Sequence, residues 1–564
     1  MNPILRSAST LTLVLSTLSL TACGGGSDGP PPPTQRTTAF GAVLGVDNSQ
    51  SSGTYAWLGL PYAQPPVGAL RWMPPVDPTA WPGTRAAQSF GHGCAQGGRY
   101  FSPAPNDAPY GLAVREGFGK PVGDEDCLTL NVWRPATGDE KLPVLFFIHG
   151  GSNISGYSAD PVYNGQALAK KANAVVVTIN YRVGILGWLD LPQLKTGDKL
   201  VDSGNFALLD QMQALKFVKN NIAAFGGDPG NVTIMGQSAG AVNVWNLLTS
   251  PQSAGLFHKA MPMSGGIVNA TRATAQTYSR ALLAAIVVAD GKAADTTAAQ
   301  AWIATQTDAQ IAAYLRGQSA AQLLKVVLAN PQLGNAPAPI EDGTVVPVNA
   351  AAALGAGQYQ QVPVLAGNTR DEGTLFANLF GSVTGSGIPG FKLSDYDRFG
   401  LQFNFNPDGA ATLAESDLIN AAYLPVTAQP FGWNALSAFA TNSIFVGPVT
   451  PQLAAIATKQ PTKVWYYRFD WDEAPAPFNT VYGATHALDI PFVFGNFGAN
   501  VFSFAYSTAN KPGREALSDA MIASLSAFAR TGDPNTPALG VTWKNYPAKL
   551  VLDASPTQLK VTAP

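Results

Sequence analysis

The feature that most constrains this chain lies between Asn231 and Leu248. A short apolar run, Val232 to Met235, passes through Gly236-Gln-Ser-Ala-Gly240 into Ala239–Leu248, a stretch with few helix breakers. The first run has the composition of a buried strand and the second that of a helix. A strand that turns into a helix within one residue holds that residue in a strained backbone conformation. The neighbouring segments then approach too closely for side chains, which is why glycine stands on both sides. The outcome is a serine hydroxyl, that of Ser238, at the tip of a sharp bend, with the N–H of Ala239 aimed into the same space. Such an elbow needs a sheet before it and a helix layer behind it.

The remainder of the chain supplies both. Lys141–Ile148 and Ala174–Asn180 are buried-strand runs, and Val362–Ala366 and Lys463–Phe469 are further strands. Phe206–Val218 has helical spacing in Leu208, Leu209, Met212, Leu215 and Val218, and Phe225-Gly-Gly-Asp-Pro229 reads as a turn. The alanine-rich segment Ala281–Leu328 predicts several helices forming a cap beside the sheet. The aromatic-rich segment Phe391–Trp433 predicts irregular loops walling a pocket. The fold class expected is α/β, with a large, mostly parallel central sheet flanked by helices.

The first residues belong to targeting. Arg6 gives a positive start, Leu11–Leu20 an apolar stretch too short to span a bilayer, and Leu20-Thr-Ala-Cys23 a small-residue cleavage site. A cysteine directly after such a site resembles the lipobox of bacterial lipoproteins, so residues 1–22 are expected to be a signal peptide and Cys23 the acylated N-terminus. Gly24-Gly-Gly-Ser-Asp-Gly-Pro-Pro-Pro-Pro33 follows as a tether, expected over residues 23–37, ahead of a single domain at 38–564. Export follows as an expectation, with the protein either lipid-anchored in the bacterial cell envelope (periplasm or outer membrane) or secreted. With Cys23 acylated, Cys94 and Cys127 form an even pair in an oxidising compartment, where a bridge closing that loop is worth about 3–4 kcal/mol in the chain-entropy model. A formal net charge of −2 gives no electrostatic reason to expect nucleic acid as a partner. Neither a phosphate-binding loop nor a metal-type Cys/His spacing is present, and the expectation is a site needing no cofactor and no metal.

A serine hydroxyl attacks only when a base takes its proton and an acid orients that base. On a sheet of this type the order along the chain is serine, acid, histidine. There are four histidines, His92, His149, His258 and His486. The first two precede Ser238, and no Asp or Glu separates Ser238 from His258, so only His486 satisfies the order. For the acid, Asp371 and Glu372 stand just past a strand end and are favoured, while Asp470 and Asp472 follow another strand and stay open. The loop His149-Gly-Gly-Ser-Asn153 after a strand is of the type whose backbone N–H groups, with that of Ala239, hold a developing oxyanion.

Taken together these residues resemble the type-B carboxylesterases, the cholinesterase-like branch of the α/β-hydrolases. Stretches matching that family run from about Phe40 to the terminus. They include Gly59–Trp72, Glu125–Val132, Asn180–Gly184, Asn205–Gln211, Phe225–Pro229, Asp371–Gly373 and Thr531–Asn535. The resemblance implies the α/β-hydrolase fold and a serine carboxylic-ester hydrolase acting on small-molecule esters through an acyl-enzyme. It implies Glu372 rather than Asp371 as acid to Ser238 and His486, and an oxyanion hole from Gly151, Ser152 and Ala239. It further implies a Cys94–Cys127 disulfide and structural ion pairs Arg71–Glu125 and Arg182–Asp210. This chain departs from the family where Ser152 and Asn153 replace a third glycine and an aromatic residue, which changes the pocket wall. Asp489 also stands where glutamate is commoner. Activity is expected to decline below about pH 6.5, where an ordinary imidazole becomes cationic. Hydrolysis of amides, lactones or a polyester, or a non-catalytic binding role, are the alternatives, and the sequence leaves oligomeric state open.

Overall fold

The computed structural model describes residues 32–564, of which Thr34–Pro564 forms one compact unit. The proposed signal peptide, Cys23 and most of the tether lie outside the described residues. The tether ends earlier than expected. Gln35–Thr38 is already a strand paired with Gly41–Leu44, and the Thr34 carbonyl accepts from the Trp57 indole at 2.7 Å. Residues 34–37 carry no glycine or proline, so nothing prevents them from joining a sheet edge.

An 11-stranded sheet carries the molecule. Its strands are β1 (Val46–Asn48), β2 (Thr54–Pro61), β3 (Thr129–Pro135), β4 (Leu142–Ile148), β5 (Val175–Ile179), β6 (Gly227–Gln237), β7 (Lys259–Met263), β8 (Val364–Thr369), β9 (Val464–Phe469), β10 (Leu550–Ala554) and β11 (Leu559–Thr562). In space they run β11-β10-β9-β8-β7-β6-β4-β5-β3-β2-β1. From β5 across to β10 every pairing is parallel, and antiparallel strands close both edges.

Burial on both faces explains the unbroken apolar runs. Along β4, Leu145 and Phe147 enter one core cluster while Val144, Phe146 and Ile148 enter the other. The helices α1 (Phe206–Asn221) and α2 (Ala239–Thr249) lie where the spacing predicted, apart from α1 continuing three residues further. The expected cap is present as α3 (Arg272–Ala289), α4 (Thr296–Ala304), α5 (Asp308–Gly317) and α6 (Ala320–Ala329).

Two local expectations need correction. Phe225–Pro229 turns only at its start, for Gly227 onward is counted in β6 with an irregular register before Val232. Phe391–Trp433 is not loop throughout. Ser394 caps α7 (Asp395–Asn404), accepting from the Asp397 N–H, and Phe399 and Gly400 on it are buried. Aromatic richness there reflects a helix packed by aromatic contacts, such as Phe399 on Tyr100 at 5.5 Å, and not irregular chain.

A disulfide joins Cys94 to Cys127. Arg71 meets Glu125 through two 2.6 Å bonds, and Arg182 meets Asp210 at 2.7 and 2.8 Å. These are the pairs the resemblance implied.

Candidate active site

The parallel register brings the loops together. Gly236 on β6 lies opposite Ile148 on β4, so the chain leaves both strands side by side. Ser238 sits between β6 and α2 at φ 58°, ψ −124°, the strained turn the sequence required. The flanking glycines have a steric cause. A Cβ on Gly236 would lie 2.3 Å from the Gly240 carbonyl, and one on Gly240 would lie 2.1 Å from the Ile148 carbonyl.

The loop after β4 holds Gly151, Ser152 and Asn153 at positive φ. Among the described residues, the N–H groups of Gly151, Ser152 and Ala239 donate to no protein acceptor. Asn153 is buried and exchanges two amide hydrogen bonds with Asn243 on α2, at 2.9 and 3.3 Å. The family departure at Asn153 therefore ties this loop to the helix behind Ser238. Asn153→Ala would strand a buried amide on Asn243, and the expected cost is about 1–3 kcal/mol in a urea titration. An unchanged midpoint would show that the pair bears no load.

Across the sheet, β8 delivers the acid candidates. Glu372 is fully buried, and its Oε1 accepts from the Thr369 N–H at 2.8 Å and the Asn368 amide at 3.1 Å. Its Oε2 meets Nδ1 of His486. Burial raises the Glu372 pKa, but the imidazole and these hydrogen bonds outweigh it and hold the carboxyl below its usual range. The other carboxylates are committed elsewhere. Asp470 pairs with Arg468, and Asp472 with Arg370. Asp371 takes Arg370 at 2.8 Å and the Ala484 N–H at 2.9 Å, so it clamps the loop that carries His486. Gly483, at φ 57°, is required there because a Cβ would lie 2.3 Å from the Asp371 carboxylate.

His486 is buried and flanked by Phe376 and Phe445, with ring centroids at 5.1 and 4.6 Å. Its Nε2 lies 3.0 Å from the Gln237 side-chain nitrogen. No hydrogen bond joins it to the Ser238 hydroxyl in this conformation, although both residues line one cavity of about 390 Å³. With Nδ1 protonated toward Glu372, Nε2 is an acceptor and the Gln237 amide donates to it. Apart from the position of Gln237 inside the pentapeptide, nothing in the residue order points to that contact.

The remaining histidines are structural or peripheral. His149 stacks on Tyr181 at 4.4 Å, and burial lowers its pKa to about 4, so it is neutral. His258 accepts from the Val232 N–H, and His92 lies exposed against Asp107. Asp489 is buried and accepts from the Tyr467 hydroxyl at 2.8 Å.

One buried carboxylate beside the cavity has no cation within 4 Å among the described residues. Asp160 caps the turn Pro161–Tyr163 through the Val162 N–H at 3.0 Å, and burial raises its pKa to about 7. An unfolded aspartate releases its proton near pH 3.9 while the folded one keeps it to about 7, so stability falls as pH rises through that window. The full difference is on the order of 4 kcal/mol. Asp160→Asn is expected to raise the melting temperature at pH 8 and to leave it nearly unchanged at pH 4. Equal melting temperatures at pH 8 would contradict this.

Fold and site together define an α/β-hydrolase whose loops meet at the carboxyl ends of its parallel strands. The model of the carboxylesterase family matches residues 32–562, and the chain belongs to that family. It is 31% identical over 538 residues to the para-nitrobenzyl esterase of Bacillus subtilis (strain 168), covering 92% of this chain and 95% of that protein. It is 33% identical over 509 residues to the fumonisin B1 esterase of Sphingopyxis macrogoltabida, covering 89% and 82%. Among solved structures, a Geobacillus stearothermophilus carboxylesterase superposes with a TM-score of 0.69 at 31% identity, covering 94% of this chain and 98% of that one. The protein is an enzyme of the carboxylesterase class.

Proposed function

We propose that the protein hydrolyses carboxylic esters through an acyl-enzyme, with Ser238 as nucleophile, His486 as base and Glu372 as the acid that orients it. The observation that carries this reading is the buried Glu372–His486 pair opening onto the cavity that Ser238 lines. The Ser238 hydroxyl adds to the ester carbonyl as its proton passes to His486 Nε2, which the Gln237 amide releases. Glu372 stabilises the cationic imidazole. The free N–H groups of Gly151, Ser152 and Ala239 take the negative oxygen, and removing one such donor costs about 3–4 kcal/mol of barrier. His486 then gives its proton to the leaving alcohol, and water repeats the addition on the acyl group. The test pairs hydrolysis of p-nitrophenyl acetate with mass spectrometry after treatment with a fluorophosphonate. Expected are turnover and one phosphonyl adduct on Ser238; absence of both would overturn the assignment.

The leader residues support export with a lipid anchor on Cys23, and the Cys94–Cys127 disulfide fits an oxidising compartment. Labelled palmitate is expected in the wild-type protein and absent from Cys23→Ser; equal labelling would remove Cys23 as the acceptor.

A further inference from the structure

The cavity wall holds an arginine that the ester chemistry does not use. Arg99 and Arg398 both line the cavity with Ser238, and Asp395 is the only carboxylate among its lining residues. Asp395 is committed: its Oδ1 accepts from Arg398 Nη2 at 2.7 Å and from the Asn378 amide at 3.3 Å. Arg398 is buried and fixed, its guanidinium lying 3.8 Å from the Phe391 ring centroid and 4.7 Å from that of Tyr100. Its Nε and Nη1 are buried with no hydrogen-bond partner. Arg398 and Asp395 neutralise each other.

Arg99 is left over. Among the described residues it has no carboxylate within 4.0 Å and its side chain donates no hydrogen bond to protein, yet it stays open to solvent. Burial of part of the side chain lowers its pKa, and Asp395 partly restores it. Glu372, which lines neither hollow, is fully buried and bonded to His486. Arg99 and Asp395 also line a second hollow of about 330 Å³, walled by Leu328 and Tyr278. The two hollows thus meet at Arg99. A substrate anchored at Ser238 and extending toward the second hollow passes a guanidinium that no protein group satisfies. A planar fork of N–H donors beside a mostly apolar cavity matches an oxyanion such as a carboxylate bidentately and gives a neutral alkyl end no such contact. With a net charge of only −2 on the whole chain, no strong long-range field opposes or replaces this local attraction.

Resting on the hydrolase reading above, we propose that the preferred substrates are esters carrying a free carboxylate, which Arg99 binds while Ser238 attacks the ester carbonyl. Four esters form the test: monoethyl adipate against ethyl heptanoate, and 6-acetoxyhexanoate against heptyl acetate. In each pair one end is a carboxylate or its neutral isostere, placed on the acyl side in the first and on the alcohol side in the second. In at least one pair the charged ester is expected to exceed the neutral one in kcat/KM by tenfold or more, and the winning pair assigns the side. That ratio is expected to fall about tenfold in Arg99→Gln, to survive largely in Arg99→Lys, and to rise in Asp395→Asn. In the wild type alone it should shrink as sodium chloride increases, because salt screens an accessible ion pair. Ratios at or below one in both pairs, or a ratio unmoved by Arg99→Gln and by salt, would overturn the inference. Turnover of none of the four esters by an enzyme that still hydrolyses p-nitrophenyl acetate would also overturn the inference, whereas loss of p-nitrophenyl acetate turnover as well would remove the hydrolase reading on which it rests.

Discussion

Ser238→Ala is expected to lower kcat for p-nitrophenyl acetate by about 10⁵–10⁶-fold, the scale seen when the nucleophile of a serine hydrolase is removed. The fold should survive. Among the described residues the Ser238 hydroxyl donates to and accepts from no protein group, so its loss strands no buried partner. Alanine at φ 58° carries the same backbone strain that serine already bears. What remains is the set of three free N–H groups and the substrate pocket, which alone sustain a residual acceleration over water. The measurement is kcat beside a thermal melt and the phosphonate adduct. Activity above about 1% of wild type, with the melt unchanged, would show that another group attacks the ester, since the removed oxygen leaves no nucleophile at this turn.

How far the sequence carried the reading depends on whether a residue acts through its own strand end or through a contact between distant segments. Ser238, Gly236 and Gly240 were legible because the strain that places them is local. Each glycine is excluded from bearing a Cβ by a carbonyl of β4 or of the turn itself. His486 was legible by order alone. Position along the chain alone did not choose between Asp371 and Glu372, since both follow β8, and only the family resemblance favoured Glu372. The choice depends on which one turns toward His486 and which toward Ala484, 113 residues away. The Asn153–Asn243 pair, the Gln237–His486 contact and the grouping of Arg99 with Asp395 are likewise tertiary facts. Arg99 sits in no motif, and helix α7, which brings Asp395 and Arg398 to it, lay in a stretch whose aromatic content suggested loops. Aromatic side chains mark burial, and burial says nothing about whether the backbone beneath is helical.

Glu372→Gln is expected to reduce kcat by about 10⁴-fold while leaving stability close to wild type, and the reason lies in the tautomer of His486. Glu372 Oε1 receives two donors, the Thr369 N–H and the Asn368 amide. A glutamine can satisfy them only by placing its carbonyl oxygen there, which turns its NH2 toward Nδ1 of His486. Nδ1 must then accept, so the ring proton moves to Nε2, the atom that has to take the proton of Ser238. Gln237 would rotate to offer its oxygen to that proton, making the wrong tautomer more comfortable still. Asp371→Asn is the contrasting substitution. Asparagine can still accept from the Ala484 N–H, and only the part-exposed ion pair with Arg370 is lost, a contact worth about 1 kcal/mol or less. Its kcat should therefore stay within tenfold of wild type. Both variants are read by kcat and by the rate of phosphonylation at Ser238. A fall of less than tenfold in Glu372→Gln, or an equal fall in Asp371→Asn, would mean that the tautomer is set by something other than the carboxylate that meets Nδ1.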